Sequence, residues 1–394
     1  MEAQTGRRRF ELDWLRMLAV LLVFVAHCAR FFDTAGWHVK NSTTYPALEM
    51  WAGLVTTWLM PLLFLVSGAS VFFALRKGPV RFVKDRTLRL LVPLVVGIFS
   101  HIILCVYLER RTQYGFRGSF FDFLPHYFDG FYLFGGNFAW MGLHLWYLEV
   151  LFVLSVLCLP LFQWLLAGSG RRLLARLGDL LARPGAVYLL ALPSTLLMPF
   201  LDPMRVFFSR SWGGWGLPTY LFFFVGGLVV YSHLNLQDRI RRQRWFSLVA
   251  GLLLLLVVGV ITGSPGEERF GTPSYALVTM LHSVASWCWV LGILGLGMEY
   301  LAVYRPFLGY AGEAVLPFYV LHQSVILGVG YLVVQWSIPD LLKFLVILVG
   351  SLGVILAIYG FLVRPFNLLR VLFGLKPLPT KRAGRPAEPE PVRP

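Results

Sequence analysis

Charge is what this sequence has least of. Asp, Glu, Lys and Arg supply 14% of its 394 residues, against about 25% in an average soluble domain. So few charges cannot cover a water-facing surface, which excludes an ordinary soluble globule. Acidic residues are the scarcer sign, 20 against 35 basic ones. The resulting net charge of +15 does not imply nucleic-acid binding, because the cations fall in alternate loops between apolar runs. Cysteine is nearly missing. Cys28, Cys105, Cys158 and Cys288 each lie within an apolar run, and no CxxC pair exists. That excludes a disulfide framework and a zinc site. No Walker loop or GxGxxG stands between a strand and a helix, so no nucleotide fold is expected. No internal repeat of the inverted-repeat transporter kind is visible.

What the chain has instead is long apolar runs. Hydrophobic residues make up 57% of it and its mean hydropathy is +0.69. Ten stretches read as spans: 12–32, 48–75, 88–108, 140–166, 186–201, 217–234, 245–263, 275–300, 314–335 and 341–363. The fifth is short and interrupted by Pro193 and Pro199. The predicted class is all-α, a polytopic membrane helical bundle of about ten transmembrane helices. Arg7-Arg8-Arg9 before the first run resembles a signal peptide. The run is too long for an h-region and carries Asp13 and Arg16, so a retained first helix is expected. Basic loops alternate with mixed or acidic ones: Arg7–Arg9, Arg76–Arg89, Arg171–Arg183, Arg239–Arg244 and the stretch from Arg364, against Glu109–Asp129, Asp202–Arg210 and Glu267–Arg269. By the positive-inside rule both termini are cytoplasmic. Residues 1–375 read as one membrane domain. The Pro-, Arg- and Glu-rich residues 376–394 read as a disordered cytoplasmic tail.

Arg16 and His27 share the first span. Eleven positions turn a helix to within about 20° of the same face and advance it by roughly 16 Å. One face therefore carries a cation near one membrane surface and an imidazole in the opposite half. Titratable groups inside a span are costly and mark functional sites by default. The structural reading is a packing histidine with Arg16 snorkelling to the interface. His101, His144 and His282 come out near the level of His27, and Glu149 and His322 closer to the midplane. Together they predict a polar cavity. His144 and Glu149, about 140° apart on a straight helix, cannot both face one point. Trp140, Trp146 and Tyr147 are suited to stacking on sugar rings, or to an interfacial belt. Asp13, three residues before Arg16, is placed for an ion pair with it. The loop from Arg76 to Arg89 holds six cations and suits a phosphorylated ligand, or plain positive-inside charge.

Several of these segments resemble the acyltransferase 3 family of integral membrane acyltransferases. Leu12-Asp13-Trp14-Leu15-Arg16 with His27 is similar to its Arg-x10-His signature. Ser67-Gly68, Arg86-Thr-Leu-Arg89-Leu-Leu-Val-Pro93, Leu145-Trp146-Tyr147-Leu148-Glu149 and Phe318-Tyr319-Val-Leu-His322-Gln323 are similar to further blocks. Ser67 to Arg76 and Phe373-Gly374-Leu375-Lys376-Pro377 most resemble the glucan-modifying branch. The likeness spans roughly residues 10–375. It implies a bacterial inner-membrane enzyme that moves an acyl group, succinyl or acetyl, from cytosolic acyl-CoA to an extracytoplasmic glycan hydroxyl. Acyl-CoA would be a co-substrate, with no tightly bound cofactor and no metal. His27 would be catalytic, with Glu149 beside it. Arg16, Arg86 and Arg89, with Asp13, would serve the donor; His144, Trp146, Tyr147 and His322 would line the acceptor pocket. Arg30 is a candidate contact for a succinyl carboxylate, or an interfacial residue. Two rival classes remain: a proton-coupled transporter or flippase using His27, Glu149 and His322, and a non-catalytic membrane scaffold.

Overall fold

The structure, a computed structural model, describes residues 9–263 and 269–379. Among these no β-strand forms, and the one β-type pairing is an isolated Phe131–Phe138 bridge. The helices run α1 (Phe10–Ala29), α2 (Pro46–Ala74), α3 (Pro79–Gln113), α4 (Phe120–His126), α5 (Leu143–Leu157), α6 (Leu159–Leu165), α7 (Gly168–Leu181), α8 (Ala186–Phe200), α9 (Thr219–Ser232), α10 (Leu234–Thr262), α11 (Pro273–Tyr300), α12 (Phe307–Val333), α13 (Asp340–Val363) and α14 (Asn367–Leu372).

All ten apolar stretches are helical, but not all are long enough to cross a bilayer. Seven helices are (α1, α2, α3, α10, α11, α12 and α13), or eight when α5 and α6, bent by 51°, count as one span. The expected ten crossings are therefore not all reached by length. Fourteen residues of α9 reach only about 21 Å against a core of about 30 Å. Pro193 and Pro199 punctuate α8 into short helical and 3-10 pieces, because proline removes a backbone donor and crowds the preceding turn. The tail from Lys376 starts without regular structure. Residues 380–394, with Arg7, Arg8, Glu267 and Glu268, lie outside the described residues.

Glycines set the tightest helix contacts. A Cβ on Gly68 of α2 would lie 1.8 Å from the Phe224 carbonyl oxygen of α9, and one on Gly227 would lie 2.0 Å from that of Leu65. The backbones touch because both positions lack a side chain, the usual way to pack helices where lipid supplies no hydrophobic drive. The first helix is central. It packs against α2, α11, α12 and α13, so both ends of the chain meet around it. In α3 the turn Thr87–Leu91 is π-helical and carries Arg89. Such wide turns are rare and recur at functional positions.

Candidate active site

α1 delivers Arg16 and His27 as its spacing predicts, one toward each end. Arg16 Nη2 donates to Ser70 Oγ on α2 at 2.8 Å, and Arg16 Nη1 lies 3.8 Å from Asp13. The expected i,i+3 ion pair is therefore present. Arg86 and Arg89, on α3, lie within electrostatic reach of Arg16. Arg86 stacks over Phe82 at 5.1 Å. Among the described residues neither the Arg86 nor the Arg89 side chain has a hydrogen bond or an ion pair. Three guanidiniums thus gather at one end, two of them unneutralised, which is an arrangement that anions stabilise. Tyr147 joins this end: its hydroxyl meets Ser67 Oγ at 2.8 Å and senses Arg16 and Arg86.

At the other end the rings converge. His27 meets His322 edge to face at 5.0 Å, and His322 meets His144 at 4.8 Å. His101 lies 6.5 Å from His144. Each ring has one nitrogen on a backbone carbonyl: His27 Nδ1 on Val23 (2.8 Å), His322 Nδ1 on Tyr319 (2.5 Å), and His144 and His101 Nε2 both on Val320 (3.1 and 2.9 Å). A carbonyl only accepts, so these nitrogens carry the protons of the neutral rings, and each opposite nitrogen keeps a lone pair. His27 and His101 keep accessible edges, whereas His144 and His322 are sealed, with His144 Nδ1 and His322 Nε2 buried and unpartnered. The histidines expected to share one polar cavity therefore divide: two are half-buried, two are sealed, and His282 lies elsewhere. Only part of the cluster is open.

Several candidates are not brought here. His282 stacks on Trp215 at 4.7 Å and bonds Thr57. Trp146 packs with Trp212 and Tyr220. Glu149 makes no hydrogen bond or ion pair with any histidine, and its Oε2 is buried without a partner. His322, placed nearer the midplane by counting residues, is level with His27. The loop after α1, which buries Phe31, Phe32 and Val39, packs Trp37 against the His27 ring, so His27 is covered despite its position near the terminus of α1. Arg30 is engaged by Asp33 at 2.6 Å and by the Gly36 carbonyl, and is not free to meet a substrate carboxylate.

Sequence reasoning missed a neighbouring pair. His38, in that loop, hydrogen-bonds Glu109 of α3 and accepts from the Gln323 amide at 3.0 Å. Tyr132 also donates to Glu109, at 2.5 Å. Trp37 lies 6.1 Å from the His27 ring. Glu109 falls just past the third apolar stretch and His38 outside every apolar run, so neither stands out as a titratable residue inside a span.

Comparison with known proteins decides the class. The chain matches the family described as "Acyltransferase domain" over residues 9–360. The protein belongs to that acyltransferase family. Similar proteins include glucans biosynthesis protein C of Salmonella paratyphi B, Salmonella dublin and Salmonella paratyphi A. Each is 24% identical over 409 residues, covering 98% of this chain and 100% of the relative. No solved structure matches the chain. With its membrane-spanning helices, this member of the acyltransferase family is a multi-pass membrane enzyme.

Proposed function

We propose that this acyltransferase takes an acyl group from acyl-CoA at its basic, cytoplasmic end and passes it to a glycan hydroxyl presented from outside. A succinyl donor and a periplasmic glucan are the pair suggested by the relatives' name and the sequence resemblance, with the bacterial inner membrane as the location. One observation carries the reading: His27, half-buried with one nitrogen lone pair left free by its bond to the Val23 carbonyl, shares α1 with Arg16, the member of the arginine cluster that lies beside Arg86 and Arg89 of α3.

In this reading the CoA phosphates meet Arg86 and Arg89, with Arg16 beside them and Asp13 steadying Arg16. The thin pantetheine arm follows the roughly 16 Å between Arg16 and His27. His27 Nε2 takes the hydroxyl proton as the alcohol oxygen attacks the thioester carbon. The new C–O bond forms, the C–S bond breaks, and CoA leaves as the thiol once the sulfur takes up a proton. Holding both reactants at one point supplies much of the rate. His322 and His144 back the base; Tyr147 belongs to the donor end; Glu149, apart from the cluster, is given no step.

The test is His27→Ala in liposomes loaded with labelled acyl-CoA. Transfer to external acceptor should fall by about 10²–10⁴-fold, while donor binding and folding persist. Undiminished transfer would remove His27 from the chemistry. Movement of label without a new covalent bond would favour a transporter.

A further inference from the structure

The chain after α13 closes into a hook, residues 367–378, that the reaction scheme leaves unused. It is bonded to itself: the Gly374 N–H donates to the Val371 carbonyl at 3.0 Å, that of Leu375 to Arg370 at 2.7 Å, and that of Leu378 to Asn367 Oδ1 at 2.7 Å. At its centre Arg370 is 5% exposed. Arg370 Nε donates to the Lys376 carbonyl at 2.7 Å, Nη1 to the Arg364 carbonyl at 3.0 Å, and Nη2 to Glu313 of α12. Leu375 is buried with Ala314, Tyr359 and Val363. A guanidinium bonded at all three nitrogens and shielded from water is a fixed point of the fold.

The hook rests on Arg89. Gly374 has φ +74, where glycine alone is unstrained. A Cβ there would lie 2.9 Å from the Arg89 carbonyl oxygen, 3.3 Å from Arg89 Cα and 2.7 Å from Leu316 Cδ2. The contact is therefore backbone against backbone, and it falls on the π-helical turn. That turn lacks the regular i to i−4 ladder, so its geometry depends on what packs beside it.

We infer that the hook is a buttress holding the Arg86–Arg89 turn in its donor-binding geometry, which makes Gly374 and Arg370 positioning residues for acyl-CoA. The inference rests on the reading of Arg86 and Arg89 as the donor site. Its logic is mechanical. Arg89 has no side-chain partner of its own, so its direction is inherited from its backbone. Across the contact from that backbone stands a segment tied to α12 through Arg370 and Glu313.

Steady-state kinetics of the full-length enzyme separate the possibilities. Arg89→Gln tests the donor reading directly and should raise KM for acyl-CoA about tenfold, the factor one lost charge-assisted contact commonly carries. Gly374→Ala and Glu313→Gln should raise the same KM about three- to tenfold, leaving KM for the acceptor unchanged. Gly185→Ala is the control: φ is +77 there, but the added Cβ meets nothing within 4 Å. It carries backbone strain without the Arg89 contact and should leave donor KM alone. A raised donor KM in Arg89→Gln with none in Gly374→Ala or Glu313→Gln overturns the buttress while keeping the donor site. An unchanged donor KM in Arg89→Gln removes the donor reading and the inference with it. If Gly374→Ala does not fold, Glu313→Gln alone decides, since it adds no atom near Arg89.

Discussion

His27 shows how a residue's role follows from its least conspicuous hydrogen bond. Its Nδ1 lies on the carbonyl one helical turn back, so the nitrogen that keeps the lone pair, the base of the proposed mechanism, is set by α1 itself and needs no carboxylate partner. This much was legible in the sequence: the Arg16–His27 spacing on an apolar run fixed their common face. The ring contacts with His322 and His144 were not, because they come from three helices whose relative depth no residue count supplies. Still less visible was the His38–Glu109 pair, formed between a loop and a helix end. Glu109 is buried, and a buried acid whose partner is removed keeps its desolvation cost. His38→Ala and Glu109→Gln should each lower stability by about 3 kcal/mol or more. The double replacement should cost less than the sum, by about 0.5–3 kcal/mol. Detergent-solubilised thermal unfolding of the four proteins in this cycle is the check. Strict additivity would mean that the two side chains do not act together.

Among the elements, α2 and α9 make the least forgiving contact. Gly68 and Gly227 are each opposed by a carbonyl oxygen at about 2 Å from where a Cβ would stand, and backbone cannot rotate out of the way. Gly68→Ala should therefore destabilise by about 3 kcal/mol or more. Gly353→Ala in α13, where the added atom meets nothing within 4 Å, should leave stability equal to or slightly above that of the unmodified protein, because alanine is the better helix former by about 1 kcal/mol. Comparable losses at both sites would show that interhelical approach is not what sets the cost at Gly68, since helix propensity alone favours alanine at either position. Hydropathy located all ten apolar stretches as helices. How many of them reach across is a separate matter, because the bend between α5 and α6 and the prolines of α8 act on length and direction, which a sliding average of hydrophobicity does not register.

For the molecule as a whole, the prediction is its orientation. Arg171, Arg172 and Arg176 stand on the exposed face of α7 opposite the buried Gly170, Leu174 and Gly178. Exposed Phe131 and Phe134 belong to the loop between α4 and α5. The four native cysteines are buried, so single introduced thiols can be read against a low background. Arg176→Cys should react with an impermeant maleimide only after the membrane is opened, and Phe134→Cys in intact cells. The reverse pattern would put the arginine cluster outside and deny it cytosolic CoA.

The central seat of α1 also has a consequence for biosynthesis. α1 is synthesised well before α11, α12 and α13, which are among its neighbours, and the loop over His27 is fastened by Asn41 to Asp340 and Lys343 of α13. Arg16 finds Asp13 and Ser70 early, but until α12 has been inserted His27 lacks the His322 ring that packs on it, a costly state for a polar group inside a span, and long-range closure of this kind is slow. Nascent chains that end before Phe307 should therefore be short-lived, which couples quality control of this enzyme to the completion of the histidine cluster.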